Sequence, residues 1–133
     1  MKLEHTERMR VNWVDTDGSG LIHYTAALRY FEVPEHALMR ELFADRGFML
    51  PRVHVEADYA AALRYPDEFD CTCRLVRVGR SSVTWEYEIV RTDGVRAITG
   101  RIVAAAIGED GRTMEIPADF RERLGFPPGP SDS

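Results

Sequence analysis

From Arg8 the chain alternates, with Met9, Val11 and Trp13 on one side and Arg8, Arg10 and Asn12 on the other, which is the period of a half-buried strand over residues 8 to 14. The polar, glycine-bearing run Asp15-Thr16-Asp17-Gly18-Ser19-Gly20 then reads as a turn. From about Tyr24 to Phe43 the period becomes helical, and Leu28, Phe31, Leu38 and Leu42 fall on one stripe. Arg29, Glu32, Glu35, His36 and Arg40 fill much of the remaining surface. Pro34 lies inside this stretch, where it removes one helix hydrogen bond and crowds the carbonyl of Tyr30. A kink, or two helices in series, is therefore expected. Gly47 closes the segment.

Period two then returns. Val53, Val55, Ala57 and Tyr59 alternate with Arg52, His54, Glu56 and Asp58; Phe69, Cys71, Cys73 and Leu75 alternate with Asp70, Thr72 and Arg74. A turn at Gly79 leads to Val83, Trp85, Tyr87 and Ile89, and Asp93-Gly94 signals a tight hairpin. The segment from about Val95 to Ile107 is apolar on both faces around Ile102-Val103-Ala104-Ala105-Ala106, as a central strand would be. Gly100 and the small residues there would let a helix approach closely. A short helix is expected from Pro117 to Gly125. The order is strand, long helix, then four strands, the last three a meander. One helix against one antiparallel sheet is an α+β layer architecture. Such a sheet leaves an edge or a face uncovered, so a homodimer or homotetramer is expected.

At 133 residues the chain is long enough for one domain, assigned to residues 1–126, with 127–133 as a flexible proline- and glycine-rich tail. The opening residues are polar and no long uncharged apolar run occurs, so a cytoplasmic protein without a membrane segment is expected. The net charge is −5, with no basic run or aromatic-basic stripe, which argues against nucleic acid. The two cysteines, Cys71 and Cys73, would face one side of a strand as core thiols. A disulfide is geometrically awkward there and a metal site would need further soft ligands.

Two chemistries compete for Asp15 to Ala26. Asp15, Asp17, Ser19 and Gly20 fit the first positions of a calcium loop, but Ala26 stands where a bidentate Glu is needed and the preceding segment reads as a strand. The second places a carboxylate just before a helix start. The unpaired N–H groups there can polarise a thioester carbonyl and stabilise the oxyanion, while the acid attacks the carbon or activates a water. Asp17, Gly18, Gly20 and Tyr24 stand in the required order. From spacing alone, a purely structural role for Asp15 and Asp17 as turn residues also stays open.

The run from Val11 to Glu32, with its Asp-x-Asp-x-x-Gly-hydrophobic-hydrophobic core and closing Tyr30-Phe31-Glu32, resembles the signature of the 4-hydroxybenzoyl-CoA thioesterase-like family. Val53 to Tyr59, followed by Ala62, Tyr65 and Asp67, resembles a second stretch of it. The resemblance implies a hot-dog fold, a five-stranded antiparallel sheet wrapped around one long helix. It implies an acyl-CoA thioesterase with Asp17 as nucleophile or general base and the Tyr24 amide as oxyanion donor. Gly20, His23 and Tyr59 would border the substrate, and Arg80, with Arg77 as a weaker candidate, would meet the coenzyme A phosphates. No separate cofactor or metal is implied, since coenzyme A is part of the substrate. The resemblance also implies a site completed across a dimer interface. Asp15 would cap or brace the turn, the alternative being that it exchanges roles with Asp17. The alternative is a protein that binds acyl-CoA or acyl-carrier protein without catalysis.

Overall fold

The computed structural model describes residues 2–129. Five strands form one antiparallel sheet: β1 (Glu4–Arg10), β2 (Arg52–Tyr59), β3 (Glu68–Val78), β4 (Ser82–Arg91) and β5 (Arg96–Ala105). Their spatial order is β1-β3-β4-β5-β2, so β3, β4 and β5 form the expected meander and β1 and β2 are its edges. The helix α1 (Ala26–Leu42) lies on one face, and a six-residue helix α2 (Ala118–Arg123) follows the sheet. This is the hot-dog arrangement.

Alternation builds β3 and most of β4, where Thr84 is buried as well. Phe69, Cys71, Cys73 and Leu75 of β3 and Val83, Trp85, Tyr87 and Ile89 of β4 are all buried toward the helix. The outward residues form cross-strand polar pairs such as Arg8–Asp70 at 2.7 Å and Thr6–Thr72 at 2.6 Å. α1 closes the core through Phe31, Leu38 and Leu42, and Phe31 stacks on Tyr87 with ring centroids 4.4 Å apart. Gly100 permits that approach, because a Cβ there would lie 2.4 Å from a ring carbon of Phe31. Among the described residues no helix is long and apolar enough to cross a membrane.

Several expectations need correction. The first strand ends at Arg10, and residues Trp13–Asp15 form a 3-10 turn capped through Asn12, leaving Trp13 exposed. The long helix begins at Ala26, not Tyr24, and runs through Pro34 as one element. The Tyr30 carbonyl, whose usual partner would be the N–H that proline lacks, accepts a contact from the Cys71 thiol at 3.5 Å. β4 holds the centre of the sheet; β5 lies between it and the edge strand β2. β2 alternates in sequence, yet apart from the half-buried Ala57 its residues are exposed, because its outer side has no neighbour. Pro117 caps α2 from outside instead of opening it. Part of the expected tail, residues 130–133, lies outside the described residues.

Candidate active site

The Asp-x-Asp segment folds as a small hairpin. The His23 N–H donates to the Asp15 carbonyl (2.8 Å), Thr16 bridges Ile22, and the Asp17 N–H donates to the Leu21 carbonyl (3.0 Å). Gly18 and Gly20 make the tip with φ of +95° and +94°, values that disfavour any side chain. The returning limb is fixed from below: the Ile22 N–H donates to Leu63 and the Tyr65 N–H to Gly20, at 3.0 and 2.8 Å.

The two aspartates part company here. Asp15 is 7% exposed, and its carboxylate accepts from the Asn12 N–H (3.0 Å), Arg29 (3.0 Å) and the Tyr30 hydroxyl (2.8 Å). Burial pushes its pKa up, but the Asn12 N–H, Tyr30 and Arg29 together outweigh that and hold it below the ordinary value. It ties the hairpin to the first turn of α1. Asp17 instead faces outward, where its carboxylate accepts from the Ser19 hydroxyl (2.5 Å) and the Ser19 N–H (2.9 Å). These two bonds, with a smaller contribution from nearby His23, lower its pKa, so it is ionised at neutral pH. The carboxylates therefore do not converge as ligands of one cation.

The hairpin runs straight into α1 through His23, Tyr24 and Thr25. Among the described residues the Tyr24 N–H donates to no protein acceptor. The carbonyl of Tyr24 accepts from the Tyr59 hydroxyl, which pins the turn to the end of β2. His23 stacks on the Tyr24 ring at 4.6 Å. Its Nδ1 lies 2.7 Å from the Thr25 hydroxyl and accepts from the Thr25 N–H, an assignment that leaves the proton of the neutral ring on Nε2. Asp17, Gly20, His23, Tyr24 and Tyr59 are thus gathered around one turn.

Arg77 and Arg80 are not. Arg77 lies near the far end of β3, where a bulge interrupts the pairing, and Arg80 occupies the β3–β4 turn with its guanidinium on Glu115 at 2.6 Å. The near end of β3 pairs with Arg10, so the length of the strand, roughly 33 Å at 3.3 Å per residue, separates these arginines from the hairpin. Within one chain neither arginine stands beside Asp17.

A family model described as the thioesterase superfamily matches residues 19–98, more than half of the chain. This chain belongs to the thioesterase superfamily. The matched span begins two residues after Asp17 and includes Tyr24, Tyr59, Arg77 and Arg80. A protein of Aquifex aeolicus (strain VF5) that carries a provisional esterase name is 24% identical over 123 residues, covering 88% of this chain and 94% of its own length. Among solved structures, the DHNA-CoA thioesterase of Staphylococcus aureus superposes with a TM-score of 0.78 at 20% identity, covering 91% of this chain and 86% of that one. A mutant 4-hydroxybenzoyl CoA thioesterase complexed with 4-hydroxybenzoyl CoA superposes at 0.76 with 20% identity, covering 90% and 97%. At such identities the superpositions establish the shared fold.

This superfamily member also carries a buried cluster that residue types alone did not suggest. Glu35, placed above among the polar positions of the helix, is only 2% exposed. It accepts from Arg52 at 2.6 and 2.7 Å and from the Tyr87 hydroxyl at 2.5 Å. The signal was present: Leu28, Phe31, Leu38 and Leu42 leave a gap of seven, and Glu35 fills it four residues after Phe31. The cluster joins α1, β2 and β4 away from the hairpin, so it orders the scaffold without touching the candidate reacting groups.

Proposed function

We propose that this protein is an acyl-CoA thioesterase that converts an acyl-CoA to the free acid and coenzyme A. The observation that carries the reading is the pairing of an ionised, outward-facing carboxylate at Asp17 with an unspent amide at Tyr24, both on the short path from hairpin to helix. The thioester oxygen takes the Tyr24 N–H, and negative charge on that oxygen gains a donor that needs no rearrangement. Asp17 then acts on the carbonyl carbon. As a nucleophile it forms a mixed anhydride while the C–S bond breaks, the thiolate leaves to be protonated by solvent, and water cleaves the anhydride. As a general base it delivers water directly. Asp15 holds the hairpin in place, and His23, with its Nε2 proton, is positioned to donate to substrate.

A second copy completes the arrangement. The outer edge of β2 has no strand beside it and carries the exposed Val53 and Val55, so two copies joined there form a continuous sheet. In such an assembly Arg77 and Arg80 of the other copy, which their own chain holds away from the hairpin, are the cations to meet the coenzyme A phosphates.

The test is release of coenzyme A, measured by thiol trapping against a panel of acyl-CoAs. Asp17→Asn should lower kcat by about 100-fold or more with KM little changed, because the carboxylate acts on the transition state. The wild-type rate should hold through neutral pH and fall only below the ordinary carboxylate range, since the Asp17 pKa is lowered. Undiminished turnover in the variant would remove Asp17 from the mechanism. Binding of acyl-CoA by the wild type with no release would favour the non-catalytic binder.

A further inference from the structure

Directly against the Asp17 hairpin lies a cavity of about 320 Å³, and of the side chains that line it only Tyr59 has been given a role so far. Leu21 and Ile22, from the returning limb of the hairpin, line it together with Leu63 and Ile98. Ala60, Ala61 and Ala62 complete the apolar lining. Part of the polar backbone of these alanines is already engaged. The Ala60 and Ala61 N–H groups both donate to the Ala97 carbonyl, at 2.8 and 3.1 Å, and the Ala62 carbonyl accepts from Arg91 at 3.0 Å. Arg91 itself is paired with Asp93 at 2.6 Å. The one polar side chain in the lining, Tyr59, spends its hydroxyl proton on the Tyr24 carbonyl.

We propose that this slot holds the acyl group and selects compact, uncharged acyl chains. The inference rests on the thioesterase reading for its ligand, and three observations carry it further. First, the slot is continuous with the reacting turn, since the Leu21 carbonyl accepts the Asp17 N–H and Tyr59 is bonded to Tyr24. Second, its volume stands at the low end of small-molecule sites, roughly 300–1,000 Å³, which suits an acyl group and not a whole acyl-CoA. Third, its walls offer methyl and methylene groups and no vacant ion-pair partner. A carboxylate carried at the far end of the acyl chain would be desolvated there without compensation.

The measurement is calorimetric binding to Asp17→Asn protein, which should leave the thioester intact. The ligands are straight-chain acyl-CoAs of increasing length, plus succinyl-CoA against butyryl-CoA. Affinity should rise about fourfold per added methylene over the short members, the factor that burial of one methylene gives, and then level off once the slot is full. Succinyl-CoA should bind at least tenfold more weakly than butyryl-CoA. Ala61→Leu in the same background should bring the plateau to shorter chains while leaving acetyl-CoA affinity unchanged; Ala62→Leu, at an exposed position, reads the same effect if the first variant folds poorly. Affinity independent of chain length, succinyl-CoA equal to butyryl-CoA, or an unshifted plateau in both leucine variants would each overturn the proposal. Hydrolysis by the wild type distinguishes failure of the slot from failure of the enzyme reading. Length-dependent binding without coenzyme A release would leave the slot standing and remove the thioesterase reading. Release without length dependence would do the reverse, and no binding at all would remove both.

Discussion

Gly100→Ala is the sharpest probe of how helix and sheet meet. Gly100 sits on β5 between Tyr87 of β4 and Ala57 of β2. An added methyl carbon would stand 2.4 and 2.6 Å from two ring carbons of Phe31 and 3.2 Å from the Glu56 carbonyl oxygen. The ring has little room to retreat, since it is fully buried and stacked on Tyr87 at an interplanar angle of 11°. Two terms oppose each other. Replacing glycine restricts the unfolded chain, which by itself stabilises by about 0.4–1 kcal/mol. Overpacking a filled core costs about 1–3 kcal/mol and sometimes more. A clash this deep takes the upper part of that range, so the net loss should be about 2 kcal/mol. For a chain of this length that lowers Tm by roughly 6–12 °C. Thermal and urea unfolding at one fixed protein concentration would measure it, with the urea slope unchanged if only the folded packing is affected. Phe31→Leu shortens the offending ring and by itself costs about 1–2 kcal/mol. In the double variant the two losses should fall short of additivity by about 1 kcal/mol or more, because the leucine no longer fills the space the new methyl needs. A Gly100→Ala protein as stable as its parent, or strictly additive losses, would contradict close packing at this point.

Asp15→Asn should cost about 2–3 kcal/mol, since hydrogen bonds to a charged group contribute about 1.5–3 kcal/mol each and an amide would turn a donor toward one of the three donors now on Asp15. The folded pKa of Asp15 is lowered, so the carboxylate's contribution is fully present above the unfolded value near 3.8 and is lost as pH falls through the lower folded value. The difference in urea midpoint between wild type and variant should therefore shrink only in that acid range. The thiols should be silent to a disulfide reagent at pH 8 in the native protein and both react once it is unfolded in guanidinium. Cys71 and Cys73 are buried, burial pushes the Cys71 thiol up to about 12, and Cys73 is raised still further from its ordinary value. A reactive native thiol would contradict the placement of both in the core.

Elements whose periods are local could be read directly from the amino-acid sequence. The inward residues of β3 and β4, the shared face of the two cysteines, the apolar stripe of α1 and the meander all follow from alternation or helical spacing, because one buried face must repeat with the period of the backbone. The order of an acid, two glycines and a helix start was equally legible, and with it the resemblance to thioesterases. Whatever depends on a distant partner was set only in the folded chain. Alternation reads the same in an edge strand as in an interior one, so the exposure of β2 and the centrality of β4 were settled by pairing. Two aspartates a residue apart are chemically alike, and only Arg29 and Tyr30, arriving from the helix, made Asp15 a brace and left Asp17 facing outward. Glu35 took a core position because Arg52 and Tyr87 meet it there, and its charge had disguised that place in the stripe. Arg80 is near Asp17 neither in the sequence nor in the fold, since a strand's length cannot be shortened by packing. Backbone period is written residue by residue, whereas the partner of a side chain is chosen by contacts between segments far apart in the chain.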